Sequence, residues 1–138
     1  MSRAGHREID HTADLGFDLW GGTLEELYAE GVVAIGELCF DRSAVLPRQR
    51  RPLAVAATNR EELLVRWLHE IYLIVESDMW LTAAAVTLVD DGIEGVLHGE
   101  PFDGARHTVH TEIKAITYHG LEVSHDGALW RATVVVDV

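Results

Sequence analysis

The order in which helical and strand-like segments follow one another most strongly constrains the fold of this chain. Hydrophobic residues recur at helical spacing in two segments, from Thr23 to Leu38 and from Asn59 to Ser77. The first segment begins with a capping box formed by Thr23 and Glu26, and the second begins at Asn59, with either Asn59 or Thr58 as the capping residue. The remaining patterned segments are short and bounded by turn-forming residues, which is typical of strands in antiparallel hairpins.

This order predicts an α+β domain in which two helices pack on one face of a mostly antiparallel sheet of about seven strands. The candidate strands are Arg7 to Asp10, Leu15 to Trp20, Leu53 to Ala57, Ala83 to Val89, Ile93 to Gly99, Thr108 to Tyr118, Leu121 to Ser124 and Leu129 to Val136. The run Val134-Val135-Val136 is apolar on both faces, so we expect the last strand to lie centrally. A length of 138 residues fits a single domain over residues 1–138.

The charge balance bears on the kind of partner that the chain can bind. Acidic residues number 23 and basic residues 11, which gives a formal net charge of −12. Such a surface repels nucleic acid, so we expect any RNA contact to be indirect or weak and favour a cation or a basic protein as partner. Arg48, Arg50 and Arg51 lie in a predicted loop from Asp41 to Arg51. Two interpretations of these arginines stay open: they are exposed to solvent, or they contact RNA or a partner protein.

Targeting signals are missing from the sequence. It contains neither a secretory signal core nor an apolar run of the roughly 20 residues needed to span a membrane. We therefore expect a cytoplasmic protein with no membrane association. The sequence carries no indication of its oligomeric state.

Oxygen donors are concentrated near both ends of the chain. Asp10 and Asp14 flank His11 near the start, and His11 could hydrogen-bond to a neighbouring metal ligand. Asp137 is followed by Val138, which brings a terminal carboxylate. Ca²⁺ and Mg²⁺ prefer such hard oxygen ligands, so a cation could bind if the fold brings the two ends together. The alternatives are an Asx turn near the start and a frayed terminus.

The predicted strand from Thr108 to Tyr118 carries the only lysine of the chain, Lys114. Alternation places two sets of side chains on opposite faces of this strand. His110, Glu112, Lys114 and Tyr118 form one set, and Val109, Ile113 and Ala115 form the other. An ammonium group can contact a phosphate or a carboxylate, and a cross-strand ion pair on a solvated face is the simpler interpretation.

A series of short motifs runs along nearly the whole chain. In order, they are Asp10-His11-Thr12-Ala13-Asp14-Leu15-Gly16, Trp20-Gly21, Thr23-Leu24-Glu25-Glu26-Leu27, Glu62-Leu63-Leu64 with Trp67-Leu68 and Glu70, Gly99-Glu100-Pro101-Phe102-Asp103, Arg106-His107, Thr111-Glu112-Ile113-Lys114-Ala115-Ile116-Thr117-Tyr118-His119 and Val136-Asp137-Val138. In this order and at this spacing, they resemble the archease family.

The resemblance implies a function in RNA metabolism. Archease-like proteins activate a tRNA-splicing ligase of the RtcB type, which joins an RNA end bearing a 3′- or 2′,3′-cyclic phosphate to a 5′-hydroxyl with GTP and divalent metal. The resemblance implies a protein cofactor that promotes ligase guanylylation and multiple turnover in tRNA splicing and RNA repair. On this interpretation the chain is not itself an enzyme.

The resemblance also implies a divalent metal site. Ca²⁺ is favoured, with Mg²⁺ or Mn²⁺ as alternatives. Its ligands would be Asp14, Asp137 and a main-chain or terminal oxygen of Val138. The residues expected beside this site or facing the ligase are Asp10, His11, Glu112 and Lys114.

A second hypothesis uses the same carboxylates differently. The chain could be a small metal-dependent phosphoesterase or nucleotide hydrolase. We find no second metal cluster and no activated nucleophile in the sequence, which disfavours an enzyme. A third hypothesis, a scaffold without metal, predicts no stabilisation by Ca²⁺ or Mg²⁺.

Overall fold

The computed structural model describes residues 3–11, 14–77, 79–117 and 120–138. Of Asp10, His11 and Asp14, it describes the backbone alone. The strands are β1 (Gly5–His11), β2 (Asp14–Gly21), β3 (Gln49–Ala56), β4 (Met79–Val89), β5 (Gly92–Pro101), β6 (Ala115–Thr117), β7 (Val123–His125) and β8 (Trp130–Asp137). The helices are α1 (Leu24–Cys39) and α2 (Arg60–Ser77), with a short 3₁₀ helix at Arg42–Ala44.

The described strands form two antiparallel sheets. The larger sheet has the order β1-β2-β8-β6, with β7 also paired to β8, and the smaller has the order β3-β5-β4. The predicted α+β class and the mostly antiparallel pairing are confirmed, but the strands divide between two sheets. Among the described strands, β3, β5 and β4 pair only with one another and so form a separate sheet.

Both helices begin as predicted. The Thr23 hydroxyl accepts a hydrogen bond from the Glu26 backbone N–H at 3.1 Å, and the Glu26 carboxylate accepts one from the Gly22 N–H at 2.9 Å. The Asn59 side chain accepts from the Glu62 N–H at 2.8 Å. These bonds satisfy backbone donors of the first turns, which have no partner within the helix.

One hydrophobic core joins the two sheets and the two helices. Helix α1 packs against β2 of the larger sheet and β4 of the smaller, and α2 packs against β3, β4 and β6. The Trp67 indole N–H donates to the Tyr28 carbonyl at 2.8 Å and links the helices within this core. Neither helix of the described ranges has both the length and the apolar character to cross a membrane.

The last strand lies at the centre of the larger sheet, as predicted. Strand β8 pairs with β2 on one side and with β6 and β7 on the other. Val134, Val135 and Val136 are all buried. A strand that is covered on both faces and paired on both edges is a rigid support for the residue that follows it.

The strand predicted from Thr108 to Tyr118 is wrong over most of its length. Only Ala115–Thr117 forms strand β6, and Tyr118 lies outside the described residues. Residues 108–111 instead bond the end of α1, where the Cys39 carbonyl accepts from the His110 N–H at 2.7 Å. The alternation therefore fails at Val109, which is 59% exposed although Ile113 is buried.

The predicted loop from Asp41 to Arg51 is also shorter than expected. Strand β3 begins at Gln49, so Arg50 and Arg51 lie in a strand that pairs with β5. The predicted strand from Leu53 to Ala57 is thus extended toward the N-terminus by pairing. This pairing depends on β5, which is distant in sequence, so the local pattern does not predict it.

Candidate functional site

The pairing of β2 with β8 brings the two acidic ends of the chain to one place. The strands are antiparallel, and Leu15 lies opposite Val136. Asp14 is the first residue of β2 and Asp137 the last of β8, so each lies one position beyond that pair, at the same end. Residues facing each other in such a pair have Cα atoms about 4.5–5.5 Å apart. The backbone therefore meets the condition on which the predicted metal site depends.

Asp137 is an exposed carboxylate at the end of a fixed strand. Its carbonyl oxygen accepts a hydrogen bond from the Lys114 backbone N–H at 2.7 Å, and Ala115 pairs with it in the β6–β8 ladder. No described basic side chain lies within 4.0 Å of its carboxylate oxygens. An anionic group held at one position without a compensating cation favours binding of a positive charge.

Lys114 is held beside Asp137 through its main chain. Its side chain is exposed, and no described acidic side chain lies within 4.0 Å of its ammonium group. Among the described residues, the simpler expectation of a cross-strand ion pair for Lys114 is therefore not met. A cation without such a partner, next to a strand end that carries carboxylates, can contact a phosphate of a bound partner or nucleotide.

Asp10 and His11 belong to the same end of the larger sheet. In the β1–β2 hairpin, Asp10 lies opposite Leu15 and His11 lies opposite Asp14. Their side chains, and that of Asp14, lie outside the described part of the chain. The predicted ligation by Asp14, Asp137 and Val138, and the roles predicted for Asp10 and His11, stay predictions.

The donor types at this strand end fit a hard cation. Side-chain oxygens of aspartate and main-chain oxygens suit Ca²⁺, Mg²⁺ or Mn²⁺, whereas a structural Zn²⁺ site uses Cys and His. Among the described side chains, no group of three or more His, Cys, Asp or Glu could hold a metal ion. That search does not cover the Asp14 side chain, so a site shared between Asp14 and Asp137 fits by donor chemistry and backbone position.

A buried ion-pair network lies elsewhere in the chain, around Glu100 in β5. Glu100 is only 2% exposed, and its carboxylate accepts from the Leu46 N–H at 2.6 Å. It also accepts from the Arg106 guanidinium at 2.6 Å and from His107 Nε2 at 3.1 Å. The hydrogen bond from Arg106, then that from Leu46, lowers the pKa of Glu100 to about 2. Glu100 is therefore ionised at neutral pH although little water reaches it.

The model of the Archease protein family (MTH1598/TM1083) matches residues 6–138. This chain belongs to the archease family. Protein archease of Methanopyrus kandleri is 38% identical over 136 residues, with 95% of this chain and 97% of the relative covered. Protein archease of Sulfurisphaera tokodaii is 32% identical, with 94% and 96% covered.

Two solved structures share the archease fold. The solution structure of Methanobacterium thermoautotrophicum Protein 1598 has a TM-score of 0.81 at 29% identity and covers 97% of this chain and 99% of that one. The crystal structure of an archease from Thermotoga maritima, described as a possible chaperone, has a TM-score of 0.67 at 22% identity and covers 96% of each chain. The resemblance predicted from the motifs and the archease-like α+β fold are thereby confirmed.

The Glu100 network is the part of this archease that sequence reasoning missed. In the sequence, this network corresponds to a glutamate followed six and seven positions later by an arginine and a histidine, with an Asp-Gly turn between them. The Asp103 side chain stabilises this turn by accepting a hydrogen bond from the Ala105 N–H at 2.9 Å. Arg48 also approaches Glu100 at 3.8 Å, so part of the predicted arginine cluster is engaged in an ion pair.

His107 links the turn at Asp103 to β5. Its Nδ1 atom accepts a hydrogen bond from the Asp103 backbone N–H at 2.8 Å. Its Nε2 atom lies 3.1 Å from the Glu100 carboxylate, to which it hydrogen-bonds. Residues 108–114, which lead to Lys114, start from this anchor.

Proposed function

We propose that this archease-family chain activates an RtcB-type RNA ligase and is not itself the catalyst. On this proposal a divalent cation, with Ca²⁺ favoured, is held by Asp14, Asp137 and an oxygen of Val138 and is presented to the ligase. The observation that carries the proposal is the β2–β8 register, because it gives Asp14 and Asp137 neighbouring backbone positions. The archease family membership of residues 6–138 supports the choice of partner.

Each residue near the strand end has a distinct part in this proposal. Asp137 keeps its position because β8 is paired on both sides, so little ordering entropy is lost when it binds. Lys114 offers a positive charge next to these carboxylates and can contact the phosphates of GTP at the ligase site. The bound cation would offset phosphate charge where the ligase is guanylylated.

The charge of the chain favours a protein rather than RNA as the direct partner. A formal net charge of −12 disfavours contact with an RNA backbone and favours a basic protein surface. Specific activation then requires the acidic strand end to meet a positively charged face of the ligase. RNA would be reached through the ligase.

The test is a pulse measurement of ligase guanylylation with GTP, with and without this protein, followed by multiple-turnover RNA joining. Asp137→Asn keeps the shape of the side chain but removes its charge, and we expect it to abolish stimulation. Asp90→Asn is the matched control, because Asp90 is exposed in the turn between β4 and β5. Full stimulation by a folded Asp137→Asn protein would overturn the proposal.

The same preparation distinguishes the activator from the small metal-dependent hydrolase. The chain alone is incubated with divalent metal and phosphoester or nucleotide substrates. Turnover that disappears in Asp137→Asn and persists in Asp90→Asn would favour the enzyme. We expect no turnover above background, because none of the described residues forms a second metal cluster beside Asp137.

A further inference from the structure

A groove runs between the second half of α2 and the segment that leads to Lys114. We call this cavity of about 320 Å³ the α2 groove. Its apolar lining consists of Phe40, Tyr72, Val75, Trp80, Val109 and Ile113. This volume is at the lower end of the range of about 300–1,000 Å³ for ligand pockets in proteins, so the α2 groove has room for the side chains of a short segment.

The floor of the α2 groove is rigid and apolar. The rings of Phe40 and Trp80 stack with centroids 4.2 Å apart, and both residues are buried. Val109 also lines the groove and is 59% exposed, the highest value among the exposed large hydrophobic residues described. Its backbone is fixed by a bridge to Phe40, so its exposed side chain has a fixed position in the groove. Burying such a preformed apolar surface stabilises a complex with little reorganisation.

The rim of the α2 groove is anionic. Glu76 of α2 and Glu112 of the facing segment both line the cavity and are exposed. The hydrogen bond to Glu76, then burial and the charges of Glu76 and Glu112, raises the pKa of Tyr72 to about 12. The lining contains no basic residue, and neither glutamate has an ion-pair partner among the described residues. The negative field of the rim is therefore uncompensated.

The α2 groove is continuous with the strand end that carries the candidate metal site. Its wall residue Ile113 is followed directly by Lys114, whose N–H bonds the Asp137 carbonyl at 2.7 Å. Glu112 of the groove lining lies two residues before Lys114 in the chain. The two surfaces can be covered by one interface.

We infer that the α2 groove receives a segment of the ligase in which an apolar side chain is flanked by arginine or lysine. This inference rests on the proposed function. The apolar side chain covers Val109 and the stacked rings, and the basic side chain pairs with Glu76 and Glu112. A second copy of this chain is a poor occupant, because each copy has a net charge of −12 and would bring its own acidic rim. An apolar anchor in a pocket inside a charged rim is the usual arrangement of an interface hot spot.

The experiment measures binding of the purified ligase to the immobilised full chain at low and at moderate salt. Val109→Asp should raise the Kd for the ligase by about tenfold or more, because a charged side chain replaces the apolar contact. The double variant Glu76→Gln, Glu112→Gln should mainly slow association and reduce its salt dependence. It also keeps the test available if Val109→Asp does not fold, which thermal unfolding reports.

Matched controls carry the same chemical changes outside the α2 groove. Val89→Asp alters another exposed valine, 43% exposed at the end of β4, and Glu94→Gln removes an exposed charge of β5. Both should bind the ligase like the wild type. Wild-type affinity and salt dependence in both groove variants would overturn the inference, while stimulation of the ligase by those variants would leave the proposed function standing.

Two further outcomes separate the alternatives. If the wild-type chain neither binds nor stimulates the ligase, the proposed function fails, and the inference fails with it. If light scattering shows a dimer that Val109→Asp dissociates while ligase binding is unchanged, the occupant is a second copy and the inference is overturned.

Discussion

Shortening one valine of the central strand tests whether β8 anchors the candidate site. Val136 is 0% exposed, lies opposite Leu15 and directly precedes Asp137. Val136→Ala removes two buried carbons, which costs about 1.6 kcal/mol at about 0.8 kcal/mol for each. The cavity left behind adds to this loss, so we expect a total destabilisation of about 2–3 kcal/mol. For a domain of this size, that corresponds to a Tm lower by about 7–10 °C.

The assay is urea and thermal unfolding followed by far-UV circular dichroism at neutral pH. Val109→Ala is the matched control, since it removes the same two carbons from a side chain that is 59% exposed. Its free energy of unfolding should change by no more than about 0.5 kcal/mol. An equal loss in both variants would refute the reasoning, because the cost would then not come from burial at the centre of the sheet.

The remaining predictions concern metal and pH. Ca²⁺ at about 100 times its Kd should stabilise the wild type by about 2.7 kcal/mol, and Asp137→Asn should remove this rise, measured as Tm in Ca²⁺ and in chelator. The hydrogen bonds from His6 to Glu30 and Glu37, 2.6 and 2.7 Å long, raise the pKa of His6 above 6.5. Its stabilising effect is complete below about pH 6.5 and is lost as pH rises through the raised pKa. The denaturant midpoint of the His6→Gln variant should therefore change less with pH over that window than the midpoint of the wild type. The lowered pKa of Glu100, about 2 against an ordinary 4.5, gives a stabilising effect that is present above pH 4.5 and lost toward pH 2. Glu100→Gln should therefore lower Tm at neutral pH, and the difference from wild type should shrink over that acid range.

Each of these predictions has a result that contradicts it. The same Ca²⁺ stabilisation in wild type and Asp137→Asn would place the cation elsewhere. A wild-type midpoint that does not change with pH above 6.5 would show that the His6 pairs contribute nothing to stability. For Glu100→Gln, the control is Glu94→Gln on the same strand, and equal Tm values for the two variants at neutral pH would show that the network is energetically neutral.

The parts of the fold that local chemistry determines were predictable. The caps at Thr23 and Asn59 and the central position of β8 follow from residues adjacent in sequence. The strand predicted through residues 108–114 was wrong because that segment bonds the carbonyl of Cys39, about 70 positions earlier. The division into two sheets depends likewise on pairings between distant strands, which hydrophobic periodicity does not encode.

The candidate site was predictable where it depends on residue type, and not where it depends on contacts between distant segments. Residue type pointed to Asp14 and Asp137 as oxygen donors, and the β2–β8 register brings their backbones together. The Glu100 network was missed because Arg106 and His107 follow a turn after β5, and they return to Glu100 through a backbone path that neither a helix nor a strand period describes. The apolar lining of the α2 groove combines residues from four separate segments, so no single stretch of sequence reveals it.

The position of β8 in the chain has a consequence for biogenesis. This strand follows all the other described elements, yet it fills the slot between β2 on one side and β6 and β7 on the other. A ribosome must therefore deliver the chain through β8 before the larger sheet can close, and until then β2 presents an unpaired edge that is prone to aggregation. Because Asp137 arrives with that closing strand, the carboxylates can come together only on a chain that has finished folding.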